Sequence, residues 1–263
     1  MTDLKPKDSC ILFHPARASD VNALELVKED APVMLSPELE RSVGQNWASV
    51  KEHSPKAFNG ILLNLKAIES KGVKILVSVN RTDYKTYAYL SKQPDYTLFN
   101  HRIAIIGTSC ILLTGDNQLI LASRGKGLVG EGNVYSIPGG FLNQKHASFH
   151  EQILVELQEE LGIGSQEVSS IRFHGIGYDE VHAKGAEFLF SIRTPLTADQ
   201  VIRRHAQAQD KAEADDLLAI DHAQIPAYVR ENQPRIMRGS IANIITYLAH
   251  EGVQNALALE AKR

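Results

Sequence analysis

Glu156, Glu159 and Glu160 stand within five residues of one another, and Pro138-Gly139-Gly140 lies shortly before them. On a helix Glu156 meets Glu159 at i,i+3 and Glu160 at i,i+4, so the three carboxylates can converge on one point. Each like-charge pair costs only about 0.2–0.5 kcal/mol on an exposed helix, which leaves a plain acidic solvent face as the alternative. Two features favour a bound cation. From His146 to Ile171 there is no Lys or Arg, whereas solvated helix faces usually interleave both signs. Glu160 also falls at the edge of the apolar stripe, where partial burial raises the cost of an unpaired charge. An oxygen-seeking divalent cation, Mg²⁺ or Mn²⁺, would relieve the repulsion. Gly139 and Gly140 would let backbone carbonyls and amides approach the same point, as residues with a Cβ could not.

The helix that must carry these acids is bounded by its own residues. Ser148 and Glu151 form a capping box, Gly162 supplies the C-cap, and Phe149, Ile153, Leu154, Leu157 and Leu161 fall on one buried arc. Around it, residues 102–113 read as a strand covered on both faces, residues 118–124 as its partner after the turn at Thr114–Asn117, and residues 134–140 as a strand leading into the glycines. Further strands are expected near 168–178, 186–193 and 215–221, with helices from Thr197 and over 238–250, the latter closed by Gly252. In the first part of the chain, residues 10–14 read as a strand. Ser19-Asp20 predicts a helix through about Glu29, and Ser36-Pro37 caps another. Strands are expected at 61–68 and 73–79, with a short helix after Thr82. Strands and helices interleave, so the class is α/β (or α+β) with a mixed sheet.

The 263 residues carry 28 basic and 31 acidic side chains, a net charge of −3, which argues against a protein that grips nucleic acid by bulk electrostatics. The charge is unevenly spread: residues 1–98 hold 13 basic and 12 acidic side chains, leaving 15 and 19 for 99–263. Cys10 and Cys110 are the two cysteines, too few for a disulfide framework or a four-cysteine zinc site and suited to a reducing cytoplasm. No apolar run approaches the roughly 18 residues of a membrane span, and the polar start does not serve as a signal peptide.

From Gly140 to Ile163 the residues resemble the Nudix box, Gly-x5-Glu-x7-Arg-Glu-apolar-x-Glu-Glu-x-Gly-apolar. Of nine specified positions seven are met: Gly140, Glu156, Leu157, Glu159, Glu160, Gly162 and Ile163. Val155 stands at the arginine, His146 or Ala147 at the upstream glutamate, and the loop is one residue longer. Residues 175–205, with NWASVKEHSPKAFNG and RTDYKTY earlier in the chain, are similar to the divergent branch that hydrolyses UDP-glucose and UDP-galactose and also lacks the box arginine.

The resemblance implies a Nudix-type α/β/α sandwich with a mixed sheet over 99–263, the box at 138–163, and an amino-terminal α+β extension over 1–98 docked against it. It implies metal held by Glu156, Glu160 and Glu159 with the Gly140 carbonyl, and hydrolysis of a nucleoside diphosphate sugar to UMP and a sugar 1-phosphate. Glu159 and Glu187 are the expected catalytic residues, Glu187 as general base, with Asp179 and Glu180 behind it. Gly139, Arg124, Tyr84, Arg81 and Tyr178 are the expected substrate contacts. ADP-ribose or another nucleoside diphosphate derivative is the alternative substrate. A domain that binds a nucleotide without turnover, as a sensor or protein-interaction module, is the rival from another class, motivated by the missing arginine and glutamate. The partner is a small molecule, with neither nucleic acid nor membrane, and a homodimer is left open.

Other signals read more plainly. Residues 125–130 satisfy G-x-G-x-x-G, yet no helix can start after them, so a loop is expected there, with Lys126 beside Arg124 as a weak phosphate contact. His146 and His150 straddle the helix cap and share no face, and Trp47 reads as a core or interface anchor.

Overall fold

The structure, a computed structural model, describes residues 11–13, 15, 17–55, 57–93, 103–125, 132–178 and 185–253. Its strands are β1 (Ile11–Phe13), β2 (Ser19–Asp20), β3 (Leu24–Pro32), β4 (Ile61–Lys71), β5 (Lys74–Asp83), β6 (Ile106–Leu113), β7 (Gln118–Arg124), β8 (Val134–Ser136), β9 (Gly139–Phe141), β10 (Ser170–Tyr178), β11 (Ala186–Arg193) and β12 (Ala214–Asp221). The helices are α1 (Pro37–His53), α2 (Tyr84–Leu90), α3 (Phe149–Leu161), α4 (Ala198–His205), α5 (Ile225–Asn232) and α6 (Arg238–His250).

The large sheet runs β1–β10–β11–β6–β7–β12, with β2 on β10, β8 on β7 and β9 on β6. β11 and β6 pair parallel and their neighbours antiparallel, so the sheet is mixed as expected. β6 shows why its sequence is a nearly continuous apolar run. Ile106, Cys110 and Leu112 face α3, packing in one cluster with Phe149, Ile153, Leu157, Leu161, Phe188 and Phe190. Ile111 and Leu113 face the other way, into a second cluster with Ile241, Ile244, Ile245 and Leu248 of α6. Helix, sheet and helix therefore form three layers, each fully buried aliphatic or aromatic side chain contributing about 1.5–3 kcal/mol.

A second sheet, β3–β5–β4, is built from the first ninety residues, with a hairpin between β4 and β5 turning at Gly72, whose φ is 63°. It does not stand apart. Leu63, Ile75, Val77 and Val79 belong to the same buried cluster as Phe149 and Ile106. Leu63 N donates to Leu142 O, and Leu65 N to Ala104 O. The boundary expected between residues 98 and 99 lies outside the described residues.

Three expectations are corrected. No helix follows Ser19-Asp20: the Asp20 side chain caps only the 3₁₀ turn Val21–Ala23, and the chain then extends as β3. Parallel pairing of Leu24 with Ile75 and Leu26 with Val77 buries that edge, and this tertiary gain overrides the local cap signal. The short helix is capped by Asp83 rather than Thr82, its side chain accepting from Thr86 N. At the end of α6 the C-cap is Glu251, with Gly252 at φ 76° following. α5, with a proline in its first turn, was not foreseen.

Candidate active site

α3 begins and ends at the expected residues: Ser148 accepts from Glu151 N, and Gly162 closes the helix at φ 65°. The capping box expected at its start does not form, because the Glu151 side chain accepts from Ala147 N rather than Ser148 N. The buried stripe is wider than the apolar residues alone, because Gln152 and Glu160 are buried with them. The glycine turn faces this helix from β9. Ile137–Pro138 is cis, and Gly139 and Gly140 pair with Ser109 and Thr108 of β6.

The approach of turn and helix is close. Gly139 N donates to Glu160 Oε1 at 3.3 Å, while Glu160 Oε2 is buried without a hydrogen-bond partner. A Cβ on Gly140 would lie 2.3 Å from Glu156 Oε1, so only glycine fits there. That same oxygen accepts from Gln152 Nε2 at 2.6 Å. The Gly140 carbonyl accepts from Thr108 Oγ1 at 3.2 Å. Among the described residues no Lys or Arg forms a salt bridge with Glu156 or Glu160.

Burial, then the Glu159, Glu213 and Asp210 carboxylates, push the Glu156 carboxyl up from 4.5 to about 7. Burial and Glu156 push Glu160 well above the ordinary carboxylate range, against the smaller opposing pull of Gly139 N–H and Arg124. Cys110, buried beneath them, has its thiol pushed up by burial and then by Glu160, Glu156 and Glu187. An uncompensated acidic pair in a dry, glycine-lined corner has the donor chemistry of a hard-cation site, since Mg²⁺ takes one or two carboxylates together with substrate phosphates. Among the described residues, no three Asp, Glu, His or Cys side chains are grouped so as to hold an ion as they stand. What the fold brings together is the pair Glu156 and Glu160, with Glu159 beside it on the same helical turn.

The other expected residues are placed as follows. Arg124 comes to the site's edge: it pairs with Glu213 at 3.3 Å and lies 5.0 Å from the centroid of the Tyr135 ring. Glu187 enters β11 opposite Gly107 and faces the first turn of α6, where a Cβ on Gly239 would lie 2.7 Å from its Oε2. Tyr84 is over a third exposed and heads an aromatic row. Trp47 to Tyr84 is 6.2 Å between centroids, Tyr84 to Tyr87 6.0 Å and Tyr87 to Phe141 5.5 Å, ending one residue from Gly140. Arg81 stays within the second sheet, Nη2 donating to Asp30 O. Tyr178 pairs by its backbone with Ala186, while its side chain, like Lys126, Asp179 and Glu180, lies outside the described residues.

Glu213, Asp210, Tyr135 and Gln152 face the acids and were not singled out by sequence. For Glu213 and Asp210 no signal existed, since they come from a segment remote in the chain. Tyr135 stands on the strand leading into the glycines, but its side chain carries no local signal. Gln152 had one: it is a polar residue four positions before Glu156.

No family model matches the chain. It is 22% identical over 223 residues to Nudix hydrolase 9 of Arabidopsis thaliana, spanning 69% of this chain and 71% of that protein. Among solved structures it is similar to DR0079 of Deinococcus radiodurans (TM-score 0.43, 11% identity, 70% of this chain and 96% of that one). It is also similar to the Nudix domain of Shewanella oneidensis NrtR complexed with ADP ribose (TM-score 0.40, 15% identity, 61% and 95%).

Proposed function

We propose that this chain is a Nudix pyrophosphohydrolase that uses Mg²⁺, or Mn²⁺, to hydrolyse the pyrophosphate bond of a nucleoside diphosphate sugar. UDP-glucose or UDP-galactose is the first substrate to test, with UMP and a sugar 1-phosphate as products. The observation that carries the reading is the buried pair Glu156 and Glu160 against Gly139 and Gly140, one oxygen of Glu160 having no donor.

Glu156 and Glu160 hold the ion, with Glu159 and the Gly140 carbonyl completing the set. When bound, the ion neutralises the diphosphate and the charge that develops on attacking and leaving oxygens. Gly139 N–H keeps Glu160 oriented. Arg124, held between Glu213 and Tyr135, contributes fixed positive charge at the edge where phosphate would enter. Glu159 and Glu187 are the candidates to accept the proton of the attacking water. Tyr84 offers its exposed face to the base, with Arg81 and Tyr178 as secondary contacts. Residues 1–98 shape the substrate pocket, which the main-chain bond from Leu63 N to Leu142 O supports. The same chemistry on ADP-ribose is the alternative within this reading. Nucleotide binding without turnover is the second reading, favoured by Val155 at the box arginine.

A phosphate-coupled assay over a panel of nucleoside diphosphate derivatives with Mg²⁺ tests it. Turnover that Glu156→Gln abolishes is expected. Binding of a nucleotide by folded wild type without turnover of any substrate would establish the second reading instead.

A further inference from the structure

We infer that Gln152 is a positioning residue that sets the carboxylate of Glu156 for cation binding, an inference that rests on the metal reading above. Gln152 is fully buried between the apolar Phe149 and Ile153, one helical turn before Glu156 on the same face of α3. Packing gives no reason for an amide there. Its Nε2 donates to Glu156 Oε1 at 2.6 Å, while its Oε1 is buried with no partner. A buried amide carbonyl without a donor is destabilising, and a methionine of similar shape would avoid it. The side chain is therefore kept for its single donation.

The geometry explains what that donation achieves. Glu156 Oε1 is confined on one side by the Gly140 backbone, where even a Cβ would stand 2.3 Å away, and on the other by the Gln152 amide. Wedged between them, the carboxylate has one orientation before any ion arrives. Val155, immediately before Glu156, carries no side-chain donor. Gln152 is also neutral. An arginine in its place would offset one of the two carboxylate charges and weaken the pull on a cation, whereas an amide orders the carboxylate and adds no charge.

The test is Mn²⁺ affinity by isothermal titration on the full chain, beside thermal unfolding of the metal-free protein. Gln152→Met should lower Mn²⁺ affinity by about 10–100-fold, the usual effect of losing a group that orients a metal ligand. Its metal-free melting temperature should stay level, because losing the unpaired carbonyl offsets losing the donor to Glu156 Oε1. Gln152→Leu, smaller and equally without a donor, should repeat the pattern and serves if the methionine variant does not fold. With the nucleotide sugar that turns over, kcat should fall and KM hold. Wild-type binding with both folded variants within twofold of it overturns the inference and leaves the metal reading standing. A melting temperature that drops in step with affinity assigns Gln152 to packing and also overturns it. Absence of Mn²⁺ binding by the wild type overturns both together.

Discussion

The two faces of β6 both carry polar groups into the interior, and they treat them in opposite ways. Towards α6, beside the half-buried Glu187, lie Ser109, Ser136, Ser240 and Asn243, all neutral and all buried. Ser109 Oγ meets Ser136 Oγ at 2.7 Å, Ser240 Oγ accepts from Ser136 N at 2.7 Å, and Asn243 Nδ2 donates to Ser109 O at 2.6 Å and Phe190 O at 3.1 Å. Such a network locks helix to sheet and carries no net charge; its one orphan is Asn243 Oδ1. Towards α3 the groups are acids, two of them raised in pKa, with a neutral amide and a backbone N–H as their nearest donors. One face satisfies its polar groups from within; on the other, among the described residues, neither Glu156 nor Glu160 is paired with a Lys or Arg. Perturbed carboxyls in a corner are thus a functional signal, where a satisfied hydroxyl network is a structural one.

The contrast can be broken most forcefully at Glu160. Glu160→Gln should lower turnover on the order of 10²–10³-fold, as expected for losing a metal ligand, while raising the metal-free melting temperature by a few degrees. A kinetic assay with parallel calorimetry reads both; a variant that loses stability along with activity would erase the difference between the faces.

The pH dependence sharpens it next. The Glu156 carboxyl rises from 4.5 to about 7 on folding, so the folded state holds its proton more tightly than the unfolded chain. That contribution is fully present below about pH 4.5 and is lost as pH climbs to about 7, on the order of 1–3 kcal/mol. Metal-free thermal stability should therefore decline across that window. Glu156→Gln should flatten the decline, and saturating Mg²⁺ should offset it at the upper end. On the opposite face, Asn243→Ala should cost about 1–3 kcal/mol by denaturant unfolding and leave Mn²⁺ affinity unchanged. Smallest is the effect at the aromatic row. Tyr84→Ala should raise KM about tenfold at unchanged kcat, within the usual range for a stacked base. A change in kcat instead would take Tyr84 out of substrate binding.

How much of this was legible follows from range. α3 was readable from Ser148 to Gly162 because caps and helical period are local, and so were the convergence of Glu156 with Glu160 and the glycine turn before them. β3 was misread as a helix because Ser19-Asp20 is a true cap signal, yet what decides the segment is Ile75 and Val77, about fifty residues away. Asp210 and Glu213 reach Glu156 from beyond α4, and no spacing rule could bring them there. Glu187 was named for its place at a strand entry, but whether it faces α3 or α6 depends on the pleat of β11 against β6, which only register decides.

The bond from Leu63 N to Leu142 O has one more consequence. The strand carrying Gly139 and Gly140 continues into a segment stitched to β4, with Leu62 bridging Asn143, while Asn64 bridges Ile105 just before β6. A fragment trimmed to residue 99 onward would not be a minimal enzyme. It would bare a sheet edge beside the acidic corner, open to pairing with any other exposed strand. Designs that exchange the amino-terminal sheet for another pocket wall would therefore need to keep Leu62–Leu65 as a hem on the site loop.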